Sequence, residues 1–95
     1  MIERHITFSV HPDKTAAFER FITREYAPAM AASSGFVKVE LLREAETPTR
    51  YQLVFRFEDA ASAAAWRTSE VHGALQPGLK ALHEGMEITG YEVVG

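Results

Sequence analysis

Cysteine is absent from this 95-residue chain, which excludes disulfide staples, thiolate metal sites and a cysteine nucleophile and permits a reducing compartment. No stretch approaches the roughly 18 apolar residues that a membrane-spanning helix needs. The opening Met1-Ile2-Glu3-Arg4-His5-Ile6-Thr7-Phe8 lacks the basic-then-apolar order of a signal peptide. The expectation is a cytoplasmic protein with no membrane contact. Excess charge is also missing: 10 Lys and Arg against 13 Asp and Glu leave −3, which argues against nucleic acid as a partner. No glycine-rich phosphate loop, Walker motif or G-x-S-x-G elbow occurs, so nucleotide cofactors and hydrolase triads have no support. No two histidines lie at helical ligand spacing, His72 and His83 being eleven residues apart, and no metal site is expected.

What is present suits one packed domain over residues 1–95, with 46% hydrophobic and 24% charged residues and no linker or repeat. Ile2, Ile6, Phe8 and Val10 alternate onto one face of a first strand, Ile2 to Val10, with Arg4 as a charged intruder among them. Pro12 and Asp13 then favour a helix start, and Phe18, Phe21, Ile22 and Met30 predict a helix from about residue 13 to 32, stopped by Ser33-Ser34-Gly35. A hairpin should follow, Phe36 to about Glu46 and Arg50 to Phe57, turning at Thr47-Pro48-Thr49. Asp59 is a suitable N-cap for a second helix, Ala60 to about His72. Gly73, Pro77 and Gly78 predict a short or broken helix from Leu75 to Leu82, before a last strand from Met86 to Val94.

The order β-α-β-β-α-β is that of the α+β ferredoxin-like sandwich, two helices on one face of a four-stranded antiparallel sheet. Its other face lacks a cover. Exposure of Val37, Val39, Leu41 and Val54 there would be unfavourable in so small a domain, and a second copy placed sheet against sheet is the simplest remedy. The expectation is a homodimer through the open sheet face, with His5 turned toward the partner subunit.

Phe57-Glu58-Asp59-Ala60, then Trp66-Arg67-Thr68-Ser69-Glu70-Val71-His72, then Leu75-Gln76-Pro77 resemble the antibiotic biosynthesis monooxygenase family, in which a W-x-x-S-x-x-H helix and a Leu-x-Pro-like segment precede the final strand. The resemblance runs the length of the chain and implies a dimeric α+β barrel. It also implies a choice of activities: cofactor-independent oxygenation of phenols or quinols, or haem degradation. The haem-degrading branch carries a histidine ten residues beyond the tryptophan and an asparagine on the first strand. Here those positions are Gln76 and Arg4, which disfavours haem. Trp66 matches the family's pocket tryptophan, and His72 a histidine that many members carry.

Trp66, Ser69 and His72 step at three-residue intervals and would form a slanting stripe on one helix. Trp66 is a pocket wall or a core anchor. His72 is a base that accepts a phenolic proton or a helix-terminal residue favoured by the dipole. Arg4 either binds a substrate carboxylate or phenolate or pairs with Glu40 or Glu92 on neighbouring strands. Tyr51 and Phe55, met by Tyr26 and Met30 from the first helix, line a ligand cavity or fill a core. The candidate catalytic set is His72, Trp66 and Arg4; the candidate substrate contacts are Tyr26, Met30, Tyr51, Phe55 and Ser69. The function expected is cofactor-independent oxygenation of a small aromatic, phenolic or quinol-like compound. The alternatives are a noncatalytic ligand-binding or stress-related barrel and a proton-shuffling isomerase.

Overall fold

The computed structural model describes all 95 residues. Four strands, β1 (Ile2–Val10), β2 (Phe36–Arg43), β3 (Arg50–Phe57) and β4 (His83–Glu92), form one antiparallel sheet in the order β2-β3-β1-β4. The helices all lie on one face. After a 3-10 turn at Pro12–Lys14 come α1 (Thr15–Phe21), a π turn (Ile22–Tyr26) and α2 (Ala27–Ala31) in unbroken succession. Beyond β3 follow α3 (Ala60–Arg67) and α4 (Glu70–Lys80). This is the expected ferredoxin-like architecture.

The π turn has a local cause. Pro28 has no amide to donate to the Arg24 carbonyl and its ring crowds that turn, so the backbone widens just ahead of it, over Ile22–Tyr26.

The second helical region departs from the expected pattern. A single helix from Ala60 to His72 was expected to give way near Gly73; instead the break falls at Thr68 and Ser69, and α4 runs through Gly73, Pro77 and Gly78. Short polar side chains explain it. Thr68 Oγ1 donates to the Ala64 carbonyl (2.9 Å) and Ser69 Oγ to the Trp66 carbonyl (2.8 Å), closing α3. Ser69 Oγ then accepts from the His72 amide (3.1 Å) as the N-cap of α4. Pro77 removes one helical bond, but Leu79 is buried, Lys14 Nζ donates to the Ala81 carbonyl (3.1 Å), and Gly78 packs close to α1. A Cβ at Gly78 would meet the Phe21 ring at 2.9 Å, so glycine permits that approach. At the other glycine that matters, Gly35, φ is +78°, the left-handed conformation that ends the first helical region.

The core fills the space between helices and sheet: Ile6, Phe8 and Val10 from β1, Tyr51, Leu53, Phe55 and Phe57 from β3, and Phe18, Ile22, Tyr26 and Met30 above them. Phe18 packs on Phe8 and Tyr51 with ring centroids 5.1 and 4.9 Å apart. The hairpin's first strand ends at Arg43, short of Glu46, and β4 starts at His83, ahead of Met86.

The open face differs from its expected character. The register of β2 on β3 shifts between Phe36 and Lys38, and this bulge reverses the alternation so that Val39 and Leu41 lie opposite Phe55 and Leu53 and pack on the helix-side core. Of the four residues thought to need a second cover, only Val37 and Val54 lie outside that core, and Val54 is already buried. The open face is mixed. Leu42 and Tyr91 are exposed there beside a charged cluster in which Glu3 accepts from Arg56 (2.7 and 3.0 Å) and contacts His5 Nε2 (2.7 Å). The hydrogen bonds from His5 and then Arg56 hold the Glu3 carboxyl down at about 2.

Candidate active site

A small cavity lies between the sheet and the helices, toward the end where α3 meets α4. β1 supplies Arg4 and Ile6 to its floor, β3 supplies Phe55 and β4 Ile88. The alternation of β1 puts Arg4 and Ile6 on one face, and the antiparallel register sets Arg4 beside Phe55 and Ile6 beside Ile88. Tyr26 comes from the π turn, Ala63, Trp66 and Arg67 from α3 at helical spacing, and His72 from the first turn of α4. The cavity volume is about 40 Å³.

Three rings form its back wall. The Trp66 and His72 centroids are 5.2 Å apart with planes at 87°, Tyr26 and Trp66 are 5.7 Å apart at 87°, and Tyr26 and His72 6.2 Å apart. These edge-to-face contacts set the orientation of the imidazole. Gln76, one turn on in α4, donates from Nε2 across 3.3 Å to His72 Nε2 and to the His72 carbonyl.

Electrostatically the cavity is cationic at its floor and rim and holds neutral groups within. Burial, reinforced by the nearby Arg67 charge, lowers the His72 pKa below its ordinary 6.5, so the ring is neutral at physiological pH and able to take a proton. Burial drives the Tyr26 hydroxyl up to about 12, weakly countered by the Trp66 side chain, so it remains a donor. Arg4 makes no hydrogen bond or ion pair within the chain, and its Nε is fully buried without a partner. Neither proposed internal partner reaches it: Glu40 lies opposite Val54 on the other sheet face, and Glu92 sits beside Ile2 without pairing.

Five of the eight candidate residues therefore converge: Arg4, Tyr26, Phe55, Trp66 and His72. The other three do not. Met30 is core filling with no exposed surface, and Tyr51 lies farther along the sheet opposite Phe8, its hydroxyl donating to Glu19 Oε2 (2.5 Å). Ser69 is a helix cap and faces backbone, because the chain breaks there instead of continuing the stripe. The site also includes Ala63, one turn before Trp66, Arg67, one turn after Ala63, and Ile88, which only the register of β4 on β1 brings there; none of the three was a sequence candidate.

No cluster of three His, Asp or Glu side chains is arranged to hold a metal ion, and no helix is long and apolar enough to cross a membrane.

Solved structures share this fold over nearly the whole chain. SnoaB, a cofactor-independent oxygenase from Streptomyces nogalater, is 23% identical with a TM-score of 0.89, covering 99% of this chain and 93% of its own. A Deinococcus radiodurans protein bearing the name of the antibiotic biosynthesis monooxygenases is 17% identical with a TM-score of 0.90, over 100% and 94% of the two chains. A conserved protein from Methanosarcina mazei is 19% identical with a TM-score of 0.85, over 95% and 89%. No curated protein matches the sequence. The family model for antibiotic biosynthesis monooxygenase matches residues 1–78, well over half the chain, and the protein belongs to that family.

Proposed function

We propose that the protein is a cofactor-independent monooxygenase of a small phenolic or quinol-like aromatic compound. The observation that carries this reading is the neutral His72 held against Trp66 and Tyr26 in a cavity that is otherwise apolar or cationic. The Nε2 lone pair of His72, released from its long 3.3 Å contact with Gln76, accepts the acidic proton of the substrate, Tyr26 donates toward its oxygen, and the aromatic and aliphatic walls keep water from the resulting anion. The anion then gives its electrons to dioxygen. For an anthrone-type carbon the balance is a methylene plus dioxygen giving a ketone plus water: one oxygen atom enters the product, the other becomes water, and the substrate supplies all four electrons. Family membership and the likeness to an oxygenase support the reading.

A volume of about 40 Å³ holds little more than a water molecule, whereas an apolar cavity that takes benzene is roughly 150 Å³. Substrate entry therefore displaces part of the wall. Arg67 and Ile88, both exposed, form its outer side. The working form is a homodimer joined through the open sheet face, the one side of the sheet without helices, where Leu42 and Tyr91 are exposed.

Oxygen uptake on adding a panel of anthrones and hydroquinones to the chelator-treated protein tests the activity. The expected result is one dioxygen consumed per ketone formed, with one of its oxygen atoms in the product; quinone formed from a hydroquinone with release of hydrogen peroxide would be oxidation without oxygen transfer and would count against the reading. Thermal stabilisation by the same compounds without uptake would make the protein a ligand-binding barrel instead.

A further inference from the structure

The cavity carries positive charge and no acid. Arg4 forms its floor and Arg67 stands at its rim, while the other lining groups are apolar, aromatic or the neutral imidazole. A buried guanidinium N–H without an acceptor is unfavourable, and no internal carboxylate supplies one: Glu92, diagonal to Arg4 on the same sheet face beside Ile2, is exposed and makes no ion pair with it. The register places Glu40 on the far face and puts Gly90 directly across from Arg4 on β4. Gly90 leaves open space there: an added Cβ would meet nothing within 4 Å. The missing acceptor thus has room to arrive from outside.

We propose that the substrate of this site carries a carboxylate on its aromatic frame, and that Arg4, assisted by Arg67, recognises it. The guanidinium fork matches the two oxygens of a carboxylate, whereas a phenolate offers one oxygen, for which the adjacent Tyr26 and His72 are the partners in the proposed reaction. Phe55, paired with Arg4 across the sheet, and Trp66, packed on His72, supply the apolar surface for the ring. One end of the substrate is anchored by charge and the other is presented to the base. This assignment takes the cavity to be the reaction site, as above, and adds the chemistry that selects its occupant.

The test uses binding, so that it is independent of turnover. The full-length protein is titrated calorimetrically with 2-naphthoate and with 2-naphthalenemethanol, which share a ring system and differ in the anionic group. The acid binds at least about tenfold tighter, the low end for a hydrogen bond to a charged partner. Arg4→Met removes that preference. Gly90→Glu places a carboxylate in the open space opposite Arg4, neutralises it internally and abolishes the preference with the arginine still present. Circular dichroism checks that each variant folds, and should Arg4→Met not fold, Gly90→Glu decides alone. Equal affinity of the two probes, no binding of 2-naphthoate at millimolar concentration, or an undiminished preference in the folded variants overturns the assignment. Neither probe is oxidised, so such a failure leaves the oxygen-uptake result standing by itself, and a failure of oxygen uptake leaves this binding result standing.

Discussion

Replacing His72 by alanine removes the proposed base, and the structure sets what this should do. At the lower end of general-base contributions the loss is about tenfold in kcat, or ~1.4 kcal/mol of transition-state stabilisation, and a loss of about a hundredfold lies within the usual range. The pH profile is the more discriminating readout. Burial and Arg67 hold the imidazole pKa below 6.5, so at pH 7 more than about three-quarters of the sites already carry the neutral base and the wild-type rate lies near its plateau. As pH falls through the lowered pKa the ring charges and kcat falls with it. The His72→Ala variant should show the lower rate and no such acid limb. Alanine also removes the ring that packs on Trp66 and Tyr26, so His72→Gln, closer in volume, separates loss of the base from loss of packing: the same fall in kcat with less thermal destabilisation. Initial rates of oxygen uptake between about pH 4 and 9, on an anthrone that the wild type turns over, make the measurement and reach below the ordinary imidazole range, where the lowered pKa lies. If either variant keeps the wild-type rate and acid limb, the proton goes elsewhere and the base assignment is wrong.

Three further outcomes follow from the geometry. Ser69→Ala should lower stability by about 1 kcal/mol, a Tm fall of roughly 4–8 °C, because it removes both the α4 cap and the bond closing α3, while leaving KM nearly unchanged; a raised KM at unchanged Tm would instead make Ser69 a ligand contact. His83, edge-on to Phe8 at 5.2 Å, has both ring nitrogens buried and unpartnered, and burial lowers its pKa, while the Gly85 backbone, which would favour the charged ring, makes no hydrogen bond to it. The unfolded chain therefore takes up this proton first as pH drops. The stability His83 contributes is full above about 6.5 and is lost as pH falls toward the lowered value, so urea midpoints of His83→Leu should vary less than wild type between neutral pH and pH 5. Sedimentation should find a dimer at micromolar concentration, weakened at least about tenfold by Tyr91→Lys, which introduces a charge on the open face; a wild-type monomer would end the sheet-to-sheet scheme.

The linear chain determined the architecture because the signals are local. Alternation in Ile2–Val10 and Arg50–Phe57, the Asp59 cap that accepts from the Ser62 amide, and the stop at Gly35 depend on neighbours within a few residues. The same locality brought Arg4, Tyr26 and Phe55 into view, while Trp66 and His72 stood out through the family resemblance. Three matters lay beyond it. Thr68 and Ser69 were expected to continue one helix and its stripe, whereas their hydroxyls bond to the Ala64 and Trp66 carbonyls and end α3, and α4 restarts with Leu79 buried. The bulge between Phe36 and Lys38 is a property of the pairing of β2 with β3; it turned Val39 and Leu41 inward and left a mixed surface where a greasy one was expected. The solitude of Arg4 is likewise tertiary. Only the register that sends Glu40 to the far face and sets Gly90 across the strand decides that this charge has no partner of its own.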